Sequence, residues 1–150
     1  MIGDMNRRAM WQIFDDLWPH DDVASVPELI DNGYVRHDPL FPSRHRGFSG
    51  FLDVHQRLAH AFAARRFIVE QLVSTGEIVA VRWSFTATHV GPLAGFLATN
   101  RSISVNGITI GRLLNGRLTE EWVQWDTLEL LRQIGRADVA VSSIEPESPD

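Results

Sequence analysis

Apolar positions in the first half of the chain recur with the period of an α-helix. Pro19 interrupts the first apolar stripe, and a capping-box pattern with a proline in its first turn opens the second stripe, which Gly33 closes. A loop rich in proline and glycine precedes the third and longest stripe. The predicted elements are helices at Met5–Trp18, Ser25–Asn32 and Phe51–Ala64, with a short strand at Tyr34–Pro39 before the loop.

The second half of the chain changes to the two-residue alternation of β-strands. Four runs rich in branched and aromatic residues are separated by short turn signals, so they predict an antiparallel meander. In the second run, apolar side chains share one face, and arginine, serine and threonine share the other. The predicted strands are Phe67–Ser74, Ile78–Val90, Ser102–Leu114 and Leu118–Asp126, followed by a short helix over Leu128–Ile134 that Gly135 ends.

The apolar phase of the third strand slips between Val105 and Ile108, at Asn106 and Gly107. This slip predicts a β-bulge that bends the sheet. Helices followed by a curved antiparallel sheet predict an α+β cone in which the helices cover the concave face. One domain over residues 1–135 is expected, with a disordered acidic tail at 136–150.

Composition narrows the functional classes. The 150 residues include 44% hydrophobic and 22% charged residues, which fits one globular domain with a sizeable core. All 14 cationic residues are arginine, and cysteine is absent, so lysine Schiff bases, thiolate nucleophiles and thiolate metal sites are excluded. A net charge of −5 argues against nucleic acid or an anionic membrane as partner. Residues 1–22 contain no uninterrupted apolar run, so neither a signal peptide nor a membrane span is predicted, and the cytoplasm is the expected location.

Asp126 is the first candidate for acid/base chemistry. If the last strand is unbulged, Asp126 shares a face with Trp122, and aromatic surroundings would raise its pKa. The competing interpretation is structural, because Asp126 precedes an apolar helical run and aspartate is a preferred N-cap.

Other titratable residues lie near the predicted apolar face. His89 ends the face that carries Trp83 and Phe85, where it could act as acid, base or donor, or be an ordinary buried histidine. Asp38 follows the short strand and precedes a proline. It could serve as a base at the edge of the sheet, or it could be a common turn residue. His55 lies on the third helical stripe and is interpreted first as a core histidine. His37, Asp38 and His45 lack any known metal-ligand spacing, so no metal is predicted.

Four ordered motifs carry a resemblance to a known family. They are T-H-x-G at 88–91, G-x-x-x-E-x-W at 116–122, Asp126, and L-L-x-Q-x-G at 130–135. In this order they resemble the SnoaL-like polyketide cyclases of the nuclear transport factor 2-like superfamily, over roughly residues 8–135. The chain departs from the family in carrying Ala98-Thr99-Asn100-Arg101 where a P-T-G-R turn is common.

The resemblance implies cofactor-free ring closure of a polyketide ester by intramolecular aldol condensation, with Asp126 as general acid/base and His89 in the same cavity. The implied partner is a hydrophobic or aromatic small molecule, and a homodimer or homotetramer is expected through the weakly charged outer sheet face. Alternatives are an isomerase, dehydratase or epoxide hydrolase with Asp38 or Asp126 as base and Arg112 or His89 stabilising charge, or a noncatalytic binding module. The pocket is expected to be lined by Trp83, Phe85, Trp122, Asp38, His55 and Arg112.

Overall fold

The computed structural model describes residues 2–43 and 45–135. Its helices are α1 (Ile2–Gln12), continued by a π-helical turn at Ile13–Leu17, then α2 (Val26–Leu29), α3 (Gly47–Ala61) and α4 (Thr127–Gln133). Its strands are β1 (Ile30–His37), β2 (His45–Arg46), β3 (Phe62–Thr75), β4 (Ile78–His89), β5 (Ser102–Leu114) and β6 (Arg117–Trp125).

The six strands form one curved sheet in the order β2-β1-β6-β5-β4-β3. The pairs from β3 to β6 are antiparallel, as the predicted meander requires, and β1 joins β6 in parallel. The apolar stripe of α1 and the π-helical turn packs on the inner face of the sheet, with α3 over β1. The α+β cone is therefore confirmed.

Several element boundaries differ from the prediction. The second helix ends at Leu29, and β1 begins at Ile30 rather than Tyr34, because Ile30 is buried and pairs with Leu118 of β6. Helix α3 covers Gly47–Ala61 instead of Phe51–Ala64, and β3 begins at Phe62 rather than Phe67. The predicted tail at 136–150 lies outside the described residues.

The predicted β-bulge at Asn106-Gly107 is wrong. Burial alternates without a break along β5, and its pairing with β4 is continuous. A Cβ at Gly107 would lie 2.2 Å from the Trp83 indole, so glycine occupies an inward position where the space is already filled. Ile108 and Ile110 consequently face outward, 49% and 42% exposed. The apolar slip in the sequence thus marks a glycine beneath an indole rather than an extra residue.

The irregularity that matters lies in β6 instead. Its pairing with β5 shifts between Arg112 and Leu113, and Leu118 and Glu121 both become buried although three residues separate them. A strand with strict alternation would place these two on opposite faces. The shift therefore reverses which side chains of β6 enter the cone.

Candidate active site

Four polar residues form a hydrogen-bonded cluster inside the cone. Arg36 Nη1 donates to Glu121 Oε1 at 2.6 Å, and the phenol of Tyr34 donates to the same oxygen at 2.6 Å. On its other side, the Arg36 guanidinium donates to Asp38 Oδ2 from Nε at 3.0 Å and from Nη2 at 2.6 Å. All four residues are buried, so two carboxylates share one guanidinium away from solvent.

The sequence places each member of this cluster for a local reason. Tyr34 and Arg36 are two residues apart on β1, so both side chains point to the buried face, and Asp38 follows directly after the strand. Glu121 reaches the same interior from β6, because the register shift turns it inward. The parallel pairing of β1 with β6 sets Arg36 beside Glu121 in the sheet.

The two carboxylates differ in how fully they are bonded. Asp38 Oδ1 accepts from the backbone N–H of Leu40 at 2.9 Å, and Oδ2 accepts from Trp125 Nε1 at 3.4 Å as well as from Arg36. Tyr34 and Arg36 both donate to Glu121 Oε1, and within residues 2–43 and 45–135 no side-chain hydrogen bond reaches Oε2. Glu121 thus keeps one oxygen available in the interior.

Burial and mutual charge shift the pKa values in the cluster. Burial, reinforced by the neighbouring Glu121 carboxylate, raises the pKa of Tyr34 well above its ordinary range, so the phenol remains a proton donor. Burial opposes charge on Arg36, but Glu121, Tyr34 and Asp38 outweigh it and raise the pKa of Arg36. Arg36 therefore carries a permanent positive charge between the carboxyl groups of Asp38 and Glu121.

An aromatic shell surrounds the cluster and leaves little space. The interior void measures about 10 Å³, which is room for about one water molecule. The Arg36 guanidinium lies over the Trp18 ring at 4.9 Å from its centroid, and Trp83 and Trp125 meet edge to face at 4.8 Å. The void is lined by Phe14, Trp18, Arg36, Leu58, Phe67, Trp83, Thr109, Glu121, Val123 and Trp125.

Asp126 lies outside the cone, where its predicted pocket position is wrong. Its side chain is exposed and caps α4, accepting from the backbone N–H of Glu129 at 3.2 Å. Trp122 is also on the outer face, 37% exposed and stacked on His37 at 5.4 Å. The prediction assumed an unbulged last strand, and the register shift reverses the face to which both residues belong.

His89 is inside, but apart from Asp126. It ends the inner face of β4, is fully buried, and contacts Thr99 Oγ1 through Nδ1 at 3.0 Å. Burial lowers the pKa of His89 below its ordinary value. Phe85 and Trp83 share that face as predicted, and Trp83 Nε1 donates to Thr109 Oγ1 at 3.0 Å. The structure therefore does not bring His89 and Asp126 to one pocket.

The remaining predicted pocket residues separate as well. His55 Nε2 lies 2.8 Å from the carbonyl oxygens of Leu17 and His20, which is the core-histidine interpretation. Arg112 is on the outer face, over Trp122 at 5.9 Å from the ring centroid. Asp38 alone of this group belongs to the buried cluster.

Sequence reasoning missed Arg36, Tyr34 and Glu121. Arg36 and Tyr34 share a face with period two on either side of Val35, which was a usable signal for an inward pair. Glu121 carried no such signal, because its direction depends on the shift in β6. Within the described residues, no group of three or more histidine, aspartate or glutamate side chains could hold a metal ion, and no helix is long and apolar enough to cross a membrane.

The family model of the SnoaL-like polyketide cyclases matches residues 8–134. A candidate SnoaL-like polyketide cyclase from Jannaschia sp. CCS1 superposes with a TM-score of 0.81 at 20% identity, covering 97% of this chain and 96% of that one. A candidate polyketide cyclase from Acidithiobacillus ferrooxidans gives 0.79 at 26% identity, over 91% and 99% of the two chains. IdmH from Streptomyces antibioticus, a candidate polyketide cyclase, gives 0.75 at 25% identity, over 87% and 98%. No curated protein sequence matches significantly.

Proposed function

The chain belongs to the SnoaL-like polyketide cyclase family, and from this membership we propose that it closes a ring in a hydrophobic polyketide ester by intramolecular aldol condensation, using the buried carboxylates as acid and base. The observation that carries the proposal is Glu121: a carboxylate 1% exposed, fixed through one oxygen by Arg36 and Tyr34, with its second oxygen unused by side-chain bonds in the described residues.

The proposed reaction needs one group that both takes and returns a proton. Glu121 Oε2 removes a proton from the carbon between two carbonyls of the substrate, and the electrons of the C–H bond form the enolate. The enolate carbon attacks a second carbonyl carbon, a C–C bond forms, and the carbonyl π-bond becomes an alkoxide. Glu121 then returns its proton to the alkoxide, so the ring-closing step is an isomerisation without an oxidant or a co-reactant. Loss of water completes the condensation.

The other cluster residues support this step by position and charge. Arg36 offers a permanent positive charge next to the enolate and alkoxide oxygens, where a low-dielectric interior strengthens it. Asp38 holds the guanidinium from its other side and keeps it aligned with Glu121. Tyr34, still a donor at neutral pH, orients the Glu121 carboxylate. The acid/base role of Asp126 and the pocket role of His89 stay predictions. Asp126 lies on the outside of the cone, and His89 lies inside it.

Substrate binding requires the aromatic shell to move, because the void of about 10 Å³ holds no polyketide. A groove of about 460 Å³ lies between the loop after β1 and the loop after β4. Leu40 and Phe41 form one wall and Leu93 the other, and all three are buried. Separation of these loops opens a route to Asp38, because Leu40 in one wall of the groove donates its backbone N–H to Asp38 Oδ1.

A noncatalytic small-molecule-binding or association module is the second candidate. The nearly filled interior favours it, since a filled cone offers little room for a reaction. The isomerase, dehydratase and epoxide hydrolase alternatives use a carboxylate of the same cluster as base, and they differ in the substrate and in the bonds that are made and broken: the dehydratase releases water and the hydrolase consumes it.

Incubation of the full chain with linear methyl esters of aryl β-polyketones tests these functions. Ring-closed product above the buffer rate, followed by chromatography and mass spectrometry, supports the cyclase. Double-bond migration or water loss without a new ring supports the isomerase or dehydratase, and diol formation from aryl epoxides supports the hydrolase. Binding detected by calorimetry with no chemical change contradicts the enzyme proposal and supports the binding module.

A further inference from the structure

His45 is a second buried titratable group beside the cluster. Its Nδ1 lies 3.3 Å from Asp53 Oδ2 on α3, and the same carboxylate oxygen is 3.0 Å from Arg57 Nε. The His45 side chain is 5% exposed, and its Nε2 is buried with no hydrogen-bond partner among the described residues. A buried nitrogen without a partner carries an uncompensated desolvation penalty, so its retention calls for an explanation.

The strand register places His45 against the cluster. Strands β1 and β2 are antiparallel, and His45 is the direct partner of Arg36. Directly opposed residues share a sheet face, with Cβ atoms about 5 Å apart. Two positive charges at such a pair destabilise it, so Arg36 and a protonated His45 are a poor combination. The contact with Asp53 favours the tautomer with the proton on Nδ1, which leaves a lone pair on the buried Nε2.

The charged groups around His45 come from two elements. Asp53 and Arg57 face it from α3, and Arg36 and Asp38 face it from β1 and the residue after it. Burial lowers the pKa of His45, the two arginines act in the same direction, and the two aspartates oppose them. The net pKa lies below the ordinary histidine value, so His45 is neutral at neutral pH.

We propose that His45 is a positioning residue for the Arg36 cluster: in its neutral form it leaves the guanidinium aligned between Asp38 and Glu121, and its protonation disrupts that alignment. This inference rests on the proposed function only where turnover is the readout. The site therefore loses its alignment at acid pH with the midpoint of His45 protonation, and this loss is separate from protonation of the carboxylates themselves.

Nitrogen-15 NMR titration of the full chain tests the inference without a substrate. The His45 imidazole signals, assigned by comparison with His45→Gln, are expected to show a neutral ring protonated at Nδ1. The Arg36 Nε–H resonance is expected to change with the same midpoint as His45. In His45→Gln that change disappears, and in Asp53→Asn both midpoints move to lower pH, because the Asp53 charge raises the His45 pKa. His60→Asn is the control, because it replaces an exposed histidine on the same helix as Asp53, and it alters neither midpoint.

Three results would overturn the inference. They are an Arg36 resonance that is unchanged through the His45 midpoint, one that still changes at that pH in His45→Gln, and a neutral His45 protonated at Nε2. His45→Asn serves if the glutamine variant does not fold. A wild-type protein that turns over no ester contradicts the proposed function, and the NMR result alone then decides the role of His45. Where turnover exists, His45→Gln loses the acid limb of the kcat profile at the His45 midpoint, whereas His60→Asn keeps that limb.

Discussion

Glu121 Oε1 lies 2.6 Å from Arg36 Nη1, and this contact joins the two halves of the interior site across the parallel pair of β1 and β6. Glu120, the preceding residue, lies on the other face of β6 and contacts His37 at 2.8 Å. Two adjacent glutamates therefore have separate surroundings. The buried one is fixed by a cation and a phenol, and the half-exposed one contacts a histidine on the outer face.

Removal of the shared cation tests how the cluster is held together. Arg36→Gln leaves two buried carboxylates without their counter-charge, so the free energy of unfolding is expected to fall by about 3–5 kcal/mol. Arg112→Gln removes an exposed arginine on the outer face and is expected to change it by less than about 0.5 kcal/mol. Urea denaturation measures both. Equal stability of the two variants would contradict the described cluster.

Asp126→Ala tests the capping role. Loss of the N-cap of α4 is expected to lower the free energy of unfolding by about 1 kcal/mol, while Asp126→Asn, which keeps a capping oxygen, changes it little. Turnover of any ester that the wild type accepts remains at the wild-type level in Asp126→Asn. A loss of turnover in this variant without a loss of stability would instead support the catalytic role predicted from the sequence.

Acidification is expected to destabilise the fold through its buried histidines. Burial lowers the pKa values of His89 and His45 in the folded state, so the unfolded chain binds more protons as the pH falls below about 6.5. Their stabilising contribution is complete above that pH and is lost towards their folded pKa values, by at most about 1.4 kcal/mol per pH unit for each histidine. His89→Gln should flatten this slope in denaturation curves recorded at several pH values. An unchanged slope would show that His89 titrates normally.

Self-association through the outer sheet face remains a proposal. Ile108 and Ile110 of β5 are about half exposed, and Ile68 of β3 is 38% exposed on the neighbouring surface of the sheet. We expect a homodimer or homotetramer in multi-angle light scattering, and Ile108→Glu combined with Ile110→Glu should give the monomer. The matched change Leu97→Glu, in the exposed loop after β4, should leave the assembly intact. A wild-type monomer at tens of micromolar would contradict the proposal.

The fold was predictable because periodicity reports it directly. The inner face of β4, with Trp83, Phe85 and His89, follows strict alternation and could be read without the structure. Boundaries were less accurate at α3 and β3, where the helix passes into a strand at Phe62 without a proline or glycine to mark it.

The site was predicted only in part, because its composition depends on strand register. Asp38 could be identified from its position at a strand end. The inward direction of Glu121 and the outward direction of Asp126 both follow from the shift in β6, which depends on pairing with Arg112 and Leu113 of a distant segment. Gly107 was misinterpreted for a similar reason. Its break in the apolar alternation resembles a β-bulge in the sequence, but the glycine is there because Trp83 packs against its Cα.

The most direct test compares two glutamine substitutions at adjacent residues. Glu121→Gln removes the proposed base and keeps the shape of the side chain, whereas Glu120→Gln makes the same change on the outer face. We predict that kcat for ring closure of the methyl ester that the wild type converts falls by about 10²–10⁴-fold in Glu121→Gln and stays within about threefold in Glu120→Gln. Circular dichroism confirms that both variants fold. Wild-type kcat in a folded Glu121→Gln protein would contradict the assignment of the buried cluster as the active site.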